Sequence, residues 1–143
     1  MLALVVAGGA YLLLTRAPDA LSSDVEQSKA PGTVERYKEI ANPAGFVNTD
    51  GITLGELVGK KVILVDFMTY SCINCQRTFP HVTALYEKYK DQGLEIVGIH
   101  TPEFAFEKDI ENVRTAMKKA GITYPVVLDN DYGTWRAWGN QYW

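Results

Sequence analysis

The sequence predicts an α/β fold, a parallel sheet whose strands alternate with helices and connect by right-handed crossovers. Three observations carry this prediction. Val62-Ile63-Leu64-Val65-Asp66-Phe67 is a nearly unbroken apolar, mostly β-branched run, the pattern of a central parallel strand buried on both faces. Leu94 to Ile99 repeats that pattern, and Pro125 to Leu128 gives a shorter version. Between the runs, residues 72–89 place Phe79, Val82, Leu85 and Tyr89 at helical spacing, and residues 107–120 place Ile110, Val113 and Met117 on one side.

The remaining elements follow in order. Residues 1–15 open with MLALVVAGGAYLLL, which has no charged side chain. As a helix those fourteen residues span about 21 Å, short of the roughly 30 Å of a bilayer's hydrocarbon core. A short membrane anchor, an atypical signal segment and the tail of a longer span all fit, and each implies membrane association. Residues 16–44 read as a polar linker, with a short helix expected over Val34 to Ile40. The folded domain is expected over 45–143. Gly45 to Asn48 is its first strand, closed by the turn Asp50-Gly51. Thr53 and Glu56 have capping-box spacing, which predicts a brief helical turn carrying Leu54, Leu57 and Val58. Gly93 and Gly121 stop the two longer helices, and Tyr132 to Ala137 forms a last helical piece. The aromatic group Tyr132, Trp135, Trp138, Tyr142 and Trp143 is expected to pack in the core and against helices.

Composition narrows the function classes. Of the 143 residues, 47% are hydrophobic and 22% charged, the balance of a globular protein with one sizeable core. The net charge is −3 and the Lys and Arg residues are scattered, which excludes a nucleic-acid partner that needs a basic patch.

The two cysteines are more telling. Both lie in Cys72-Ile73-Asn74-Cys75. A ring that small removes little chain entropy when closed, so as a staple it would be weak and its use is chemical. A thiol attacks only as thiolate, and the N-terminus of a helix favours the thiolate. The strand-to-helix transition from Phe67 to Cys72 supplies that placement. Cys72 is then the exposed nucleophile that forms a mixed disulfide with a partner, and Cys75, one turn deeper, resolves it. Zinc is the rival chemistry. Only His81 and His100 could complete four ligands, and neither has finger-type spacing, so no metal or cofactor is invoked. Asp66, inside an apolar run, is expected to be buried with a raised pKa and to shuttle a proton for Cys75.

The stretch VILVDFMTYSCINCQRTFP resembles the active-site segment of the thioredoxin superfamily. From about Phe46 to Trp143 the chain is similar to the TlpA/ResA group, and most like the thioredoxin-like domain of DipZ-type cytochrome c biogenesis proteins. The resemblance implies a thioredoxin-like three-layer fold. Asp66, six positions before Cys72, matches the buried acid of that fold. Pro80, five positions after Cys75, matches the proline that kinks its active-site helix. Glu107 to Leu128 is similar to the TlpA-type insertion. Two positions depart: Met68 stands where many relatives have tryptophan, and Thr78 where ResA-like proteins have glutamate. Relatives continue past Trp143 into a cis-proline, an antiparallel hairpin and a last helix, so the resemblance implies a fold truncated before them. In it, Val62 to Phe67 would pair on one side with Leu94 to Ile99 and have its other side open.

The implied function is a membrane-anchored, extracytoplasmic thiol–disulfide oxidoreductase. Its partners would be protein thiols and disulfides, with apocytochrome c or a membrane electron donor as candidates. A general oxidant of the same family and a non-catalytic, truncated thioredoxin-like interaction domain are the alternatives. Whether the pair reduces or oxidises its partner stays open, because that depends on how strongly the thiolate is stabilised.

Overall fold

The computed structural model describes residues 37–143. The apolar segment over 1–15, most of the linker over 16–44 and the first half of the helix expected at Val34 lie outside the described residues. Eight elements follow one another: β1 (Gly45–Val47), α1 (Leu54–Leu57), β2 (Val62–Met68), α2 (Ile73–Tyr89), β3 (Leu94–His100), α3 (Ile110–Lys119), β4 (Val126–Leu128) and α4 (Gly133–Trp138). They build one four-stranded sheet in the order β1-β4-β3-β2.

β2, β3 and β4 are parallel, as the alternation of strands and long helices requires. β1 is not: it runs antiparallel to β4, with Phe46 opposite Val127. It joins the sheet at its edge before any long crossover helix, so no strand–helix–strand connection dictates its direction.

The central strand is β3, buried from Glu95 to His100. β2, expected to be buried on both faces, pairs with β3 from Val62 opposite Leu94 to Met68 opposite His100, and among the described residues its other side is open, as expected. Val62 is 71% exposed. An apolar run marks a parallel strand but does not say how many neighbours the strand has.

Side chains alternate across the sheet, and helices cover both faces. On one face Met68, Ile96, Val126 and Leu128 pack with Cys75 and Phe79 of α2 and Val113 and Met117 of α3. On the other, Val97, Ile99 and Val127 pack with Leu54 of α1, Phe67 and Trp138 of α4. Phe67 meets Trp135 and Trp138 edge-on, with ring centroids 5.9 Å apart in both pairs. Trp143 packs on Trp135 at 4.7 Å. Tyr142 is the exception in the aromatic group and stays exposed.

Several local expectations change for reasons visible in the packing. Residues 37–40 are not helical. They lie along the domain, where the Glu39 carboxylate accepts from the backbone N–H groups of Leu54 (2.8 Å) and Gly55 (2.9 Å). Glu39 thus caps α1 from a distance, and the Thr53 side chain makes no capping bond. In α2, Tyr86 rather than Leu85 continues the buried stripe of Phe79 and Val82. Leu85 is exposed and flanks a shallow groove beside Val62. α3 begins later than expected, at Ile110, because Asp109 caps it by accepting from Glu111 N–H at 2.8 Å. Residues Ala105–Lys108 form a separate 3₁₀ turn. α4 is capped by Asp129, whose carboxylate accepts from Thr134 N–H and Trp135 N–H, both at 2.9 Å. Among the described residues, no helix is long and apolar enough to cross a membrane.

Candidate active site

β2 delivers the chain to the site. It ends at Met68, and the loop Thr69-Tyr70-Ser71 leads to Cys72, which takes the N-cap position of α2 in extended backbone conformation. Cys72 N–H donates to Thr69 C=O at 3.3 Å, and Cys72 C=O accepts from Gln76 N–H at 3.0 Å, the first bond of the helix. Gln76 also donates from its side chain to Tyr70 C=O at 2.9 Å, which closes the loop onto the helix. A cysteine that caps a helix but makes no side-chain cap bond keeps its sulfur free at the positive end of the dipole. Both thiols are free. Cys72 is half-buried and reachable, whereas Cys75 is buried.

Burial pushes the Cys75 thiol up to about 12. A backbone hydrogen bond from Thr69 works in the other direction, while a hydrogen bond with Cys72 and the charge of Asp66 push it further up. The two cysteines sit one helical turn apart at the start of α2, close enough for Cys72 to raise the pKa of Cys75. This is the arrangement expected from the two-residue spacing.

Asp66 lies on the same face of β2 as Met68, toward α2 and Cys75. It is half-buried, its Oδ2 is shielded from solvent without a hydrogen-bond partner, and burial raises its pKa. Tyr124 is the residue here that the sequence reading missed. It is fully buried, its hydroxyl is also without a partner, and burial together with the charges of Asp66 and Cys75 raises its pKa. Its ring rests where a Cβ at Gly98 would come within 3.3 Å, so glycine at that position of β3 makes room for it. A tyrosine directly before the apolar run Pro125 to Leu128 was the available signal.

Pro80 lies inside α2, where it offers no N–H to the Gln76 carbonyl. It lines a groove of about 720 Å³ between α2 and α3 that Tyr70 and Gln76 extend toward the loop. His81 is exposed on α2, away from the core. His100, at the end of β3, is fully buried beneath the loop and stacked on Tyr70 at 5.5 Å. Burial lowers its pKa to about 4, against the opposing pull of Glu107. Glu107, expected at the start of an amphipathic helix, lies in the 3₁₀ turn before α3, and its carboxylate is buried against Thr69 and Ser71. Burial alone would raise its pKa. Hydrogen bonds from Ser71, Thr69 and the N–H groups of Phe104 and Glu103 outweigh that and hold the carboxyl below its usual range.

The comparisons with known proteins agree with this geometry. The family model described as Redoxin matches residues 29–142. The chain belongs to the Redoxin family. Within it the domain is of the thioredoxin-like, thiol–disulfide oxidoreductase type, in the TlpA/ResA group. It is 48% identical over 125 residues to Protein DipZ of Mycobacterium bovis, covering 85% of this chain and 17% of that protein. The chain therefore spans about a sixth of the length of that relative. It is 29% identical to the thiol-disulfide oxidoreductase YkuV of Bacillus subtilis, covering 73% of this chain and 69% of YkuV. Among solved structures, a thioredoxin-like protein in the oxidised form superposes with a TM-score of 0.66 at 27% identity, covering 72% of this chain and 68% of the other. The α/β fold read from the sequence is thus that of the thioredoxin-like neighbours.

Proposed function

We propose that this redoxin domain exchanges disulfides with protein partners, with Cys72 as the attacking sulfur, Cys75 as the resolving one and Asp66 as the proton acceptor. One observation carries the proposal: a reachable thiol at the N-cap of α2 is followed one turn on by a buried thiol. In the reducing direction, the Cys72 thiolate attacks one sulfur of the partner's disulfide. The partner's S–S bond breaks and its other sulfur leaves, taking a proton. Cys75 then loses its proton to Asp66 and attacks the Cys72 sulfur, and the partner's second sulfur leaves and takes that proton, the first having come from solvent. The partner gains two electrons and two protons, and the domain is left with the Cys72–Cys75 disulfide. Asp66 suits this role because its raised pKa makes it a better base than an ordinary carboxylate. Pro80 supports the site by leaving α2 free to adapt below the cysteines.

The same proposal places the domain (residues 45–143) outside the cytoplasm, on a membrane tether formed by residues 1–15 and a linker over 16–44. The apolar first fourteen residues and the similarity to DipZ support it. Apocytochrome c disulfides are the proposed substrates, as the DipZ-type resemblance implies, with a membrane electron donor restoring the thiols.

Insulin reduction with dithiothreitol as the donor tests the chemistry. The wild-type chain should accelerate insulin precipitation, Cys72→Ser should abolish the effect, and Cys75→Ser should accumulate a mixed disulfide visible by mass. A wild-type chain no faster than dithiothreitol alone, or one that iodoacetamide labels at Cys75 before Cys72, would overturn it.

A further inference from the structure

Resting on the exchange chemistry above, we propose that Glu107 is a positioning residue for the cysteine pair, holding the loop 69–71 that sets both sulfurs. Its carboxylate is fully buried, and no lysine or arginine reaches it among the described residues. An isolated buried carboxylate is costly, and replacing a buried charge by a well-packed apolar residue is often neutral or stabilising. What compensates here is five hydrogen bonds, every one of them donated to the carboxylate. Oε1 accepts from Thr69 Oγ1 (2.5 Å), Ser71 Oγ (2.6 Å) and Ser71 N–H (3.3 Å). Oε2 accepts from Glu103 N–H (2.6 Å) and Phe104 N–H (2.9 Å).

The direction of these bonds gives the group its meaning. Three of the five end on the loop whose next residue is Cys72. Thr69 C=O is the acceptor of Cys72 N–H, and a Thr69 backbone hydrogen bond reaches the Cys75 thiol. Each sulfur-bearing residue is thus one backbone bond away from a residue that Glu107 grips. Below the loop, His100 Nε2 lies 3.4 Å from the same Thr69 hydroxyl, and Tyr70 stacks on the imidazole. The far end of the grip is the segment 103–108, so this carboxylate joins the loop to a part of the chain 38 residues away from Thr69. A shift of the loop would change both the presentation of Cys72 and the donor that tempers Cys75, and small misplacements of reacting groups cost up to about a hundredfold in rate.

Glu107→Gln is the discriminating variant. Its single oxygen can keep the bonds from Glu103 and Phe104, and the Thr69 and Ser71 hydroxyls can turn to accept from its NH₂. Ser71 N–H and the two hydroxyl protons lose the carboxylate as acceptor while both backbone bonds to Oε2 are kept, so the fold should persist while the loop slackens. Thr69→Val is the second variant, removing one grip from the loop side with Glu107 intact. Three quantities are measured on the full chain: the thermal midpoint, the equilibrium of the cysteine pair with reduced and oxidised glutathione, and the rate of mixed-disulfide resolution.

Both variants should slow resolution by about tenfold or more and shift the glutathione equilibrium toward the open dithiol, beyond anything their midpoints explain. Unchanged equilibrium and rates in a folded Glu107→Gln would overturn the proposal and leave Glu107 a scaffold residue. If Glu107→Gln fails to fold, unchanged values in Thr69→Val do the same. The glutathione equilibrium reads ring closure alone. A wild-type chain that reduces no protein would therefore sink the proposed function and still leave the Glu107 effect measurable.

Discussion

The two faces of the sheet are built on different terms. The face under α1 and α4 has an apolar centre, where Leu54, Val97, Ile99 and Val127 meet Phe67 and Trp138, and the buried Asp129 and Thr134 beside α4 are hydrogen-bonded. The face under α2 and α3 buries more side chains and mixes into them a thiol, a carboxyl and a phenol. Asp66 Oδ2 and the Tyr124 hydroxyl find no hydrogen-bond partner there. Unpaired polar groups in a core cost stability, so the second face gives up stability where the first does not. The cost is concentrated around Cys75. One sheet thus separates a face that holds the fold from a face that holds the chemistry.

The largest expected effect tests the first half of that separation. Ile99→Ala empties a fully buried position on the apolar face. It should cost about 2–5 kcal/mol of stability, a drop of roughly 4–8 °C in thermal midpoint per kcal/mol. Once corrected for the folded fraction, the glutathione equilibrium of the cysteine pair should not move. A shift in that equilibrium would show that the faces are coupled through β3.

The next effect lies at the rim between the sheet and the active-site loop. His100 is buried neutral, with its pKa lowered from 6.5 to about 4, and Glu107 beside it is also lowered. Both shifts have the same sign. The stability they contribute is present at neutral pH and is lost as pH falls through the folded-state values, because each group must then take up a proton inside the cluster. A loss on the order of a few kcal/mol is expected between pH 6.5 and 4, read from unfolding midpoints across that range. His100→Gln, which has nothing to titrate, should flatten the decline. An equally steep decline in that variant would move the cause elsewhere.

The smallest effect on the fold, and the sharpest on the chemistry, is expected at Asp66. Its pKa is raised by burial, so its contribution to stability is present only at low pH and is lost as pH rises through the folded value. Asp66→Asn should therefore be as stable as the wild type or slightly more stable at pH 7. It should slow the Cys75 resolution step by about tenfold or more while leaving the first attack by Cys72 nearly unchanged. Stopped-flow kinetics separates the two steps, and equal slowing of both would count against a proton-acceptor role.

What could be read from the sequence was local in origin. Two residues between Cys72 and Cys75 put the sulfurs one helical turn apart wherever a helix starts, and an apolar run ending in Asp66-Phe67 is a strand with a carboxyl in it. Helical spacing likewise marked Val113 and Met117 as core. Tertiary structure alone decided the rest. It turned β1 antiparallel and brought Glu39 fifteen residues along the chain to cap α1. It also buried Glu107 beneath Thr69 and brought Tyr124 to Asp66 and Cys75. Periodicity and capping signals report what a residue does with neighbours a few positions away. Which distant side chain fills a gap or satisfies a buried amide depends on how the finished layers fit, and no local pattern encodes that.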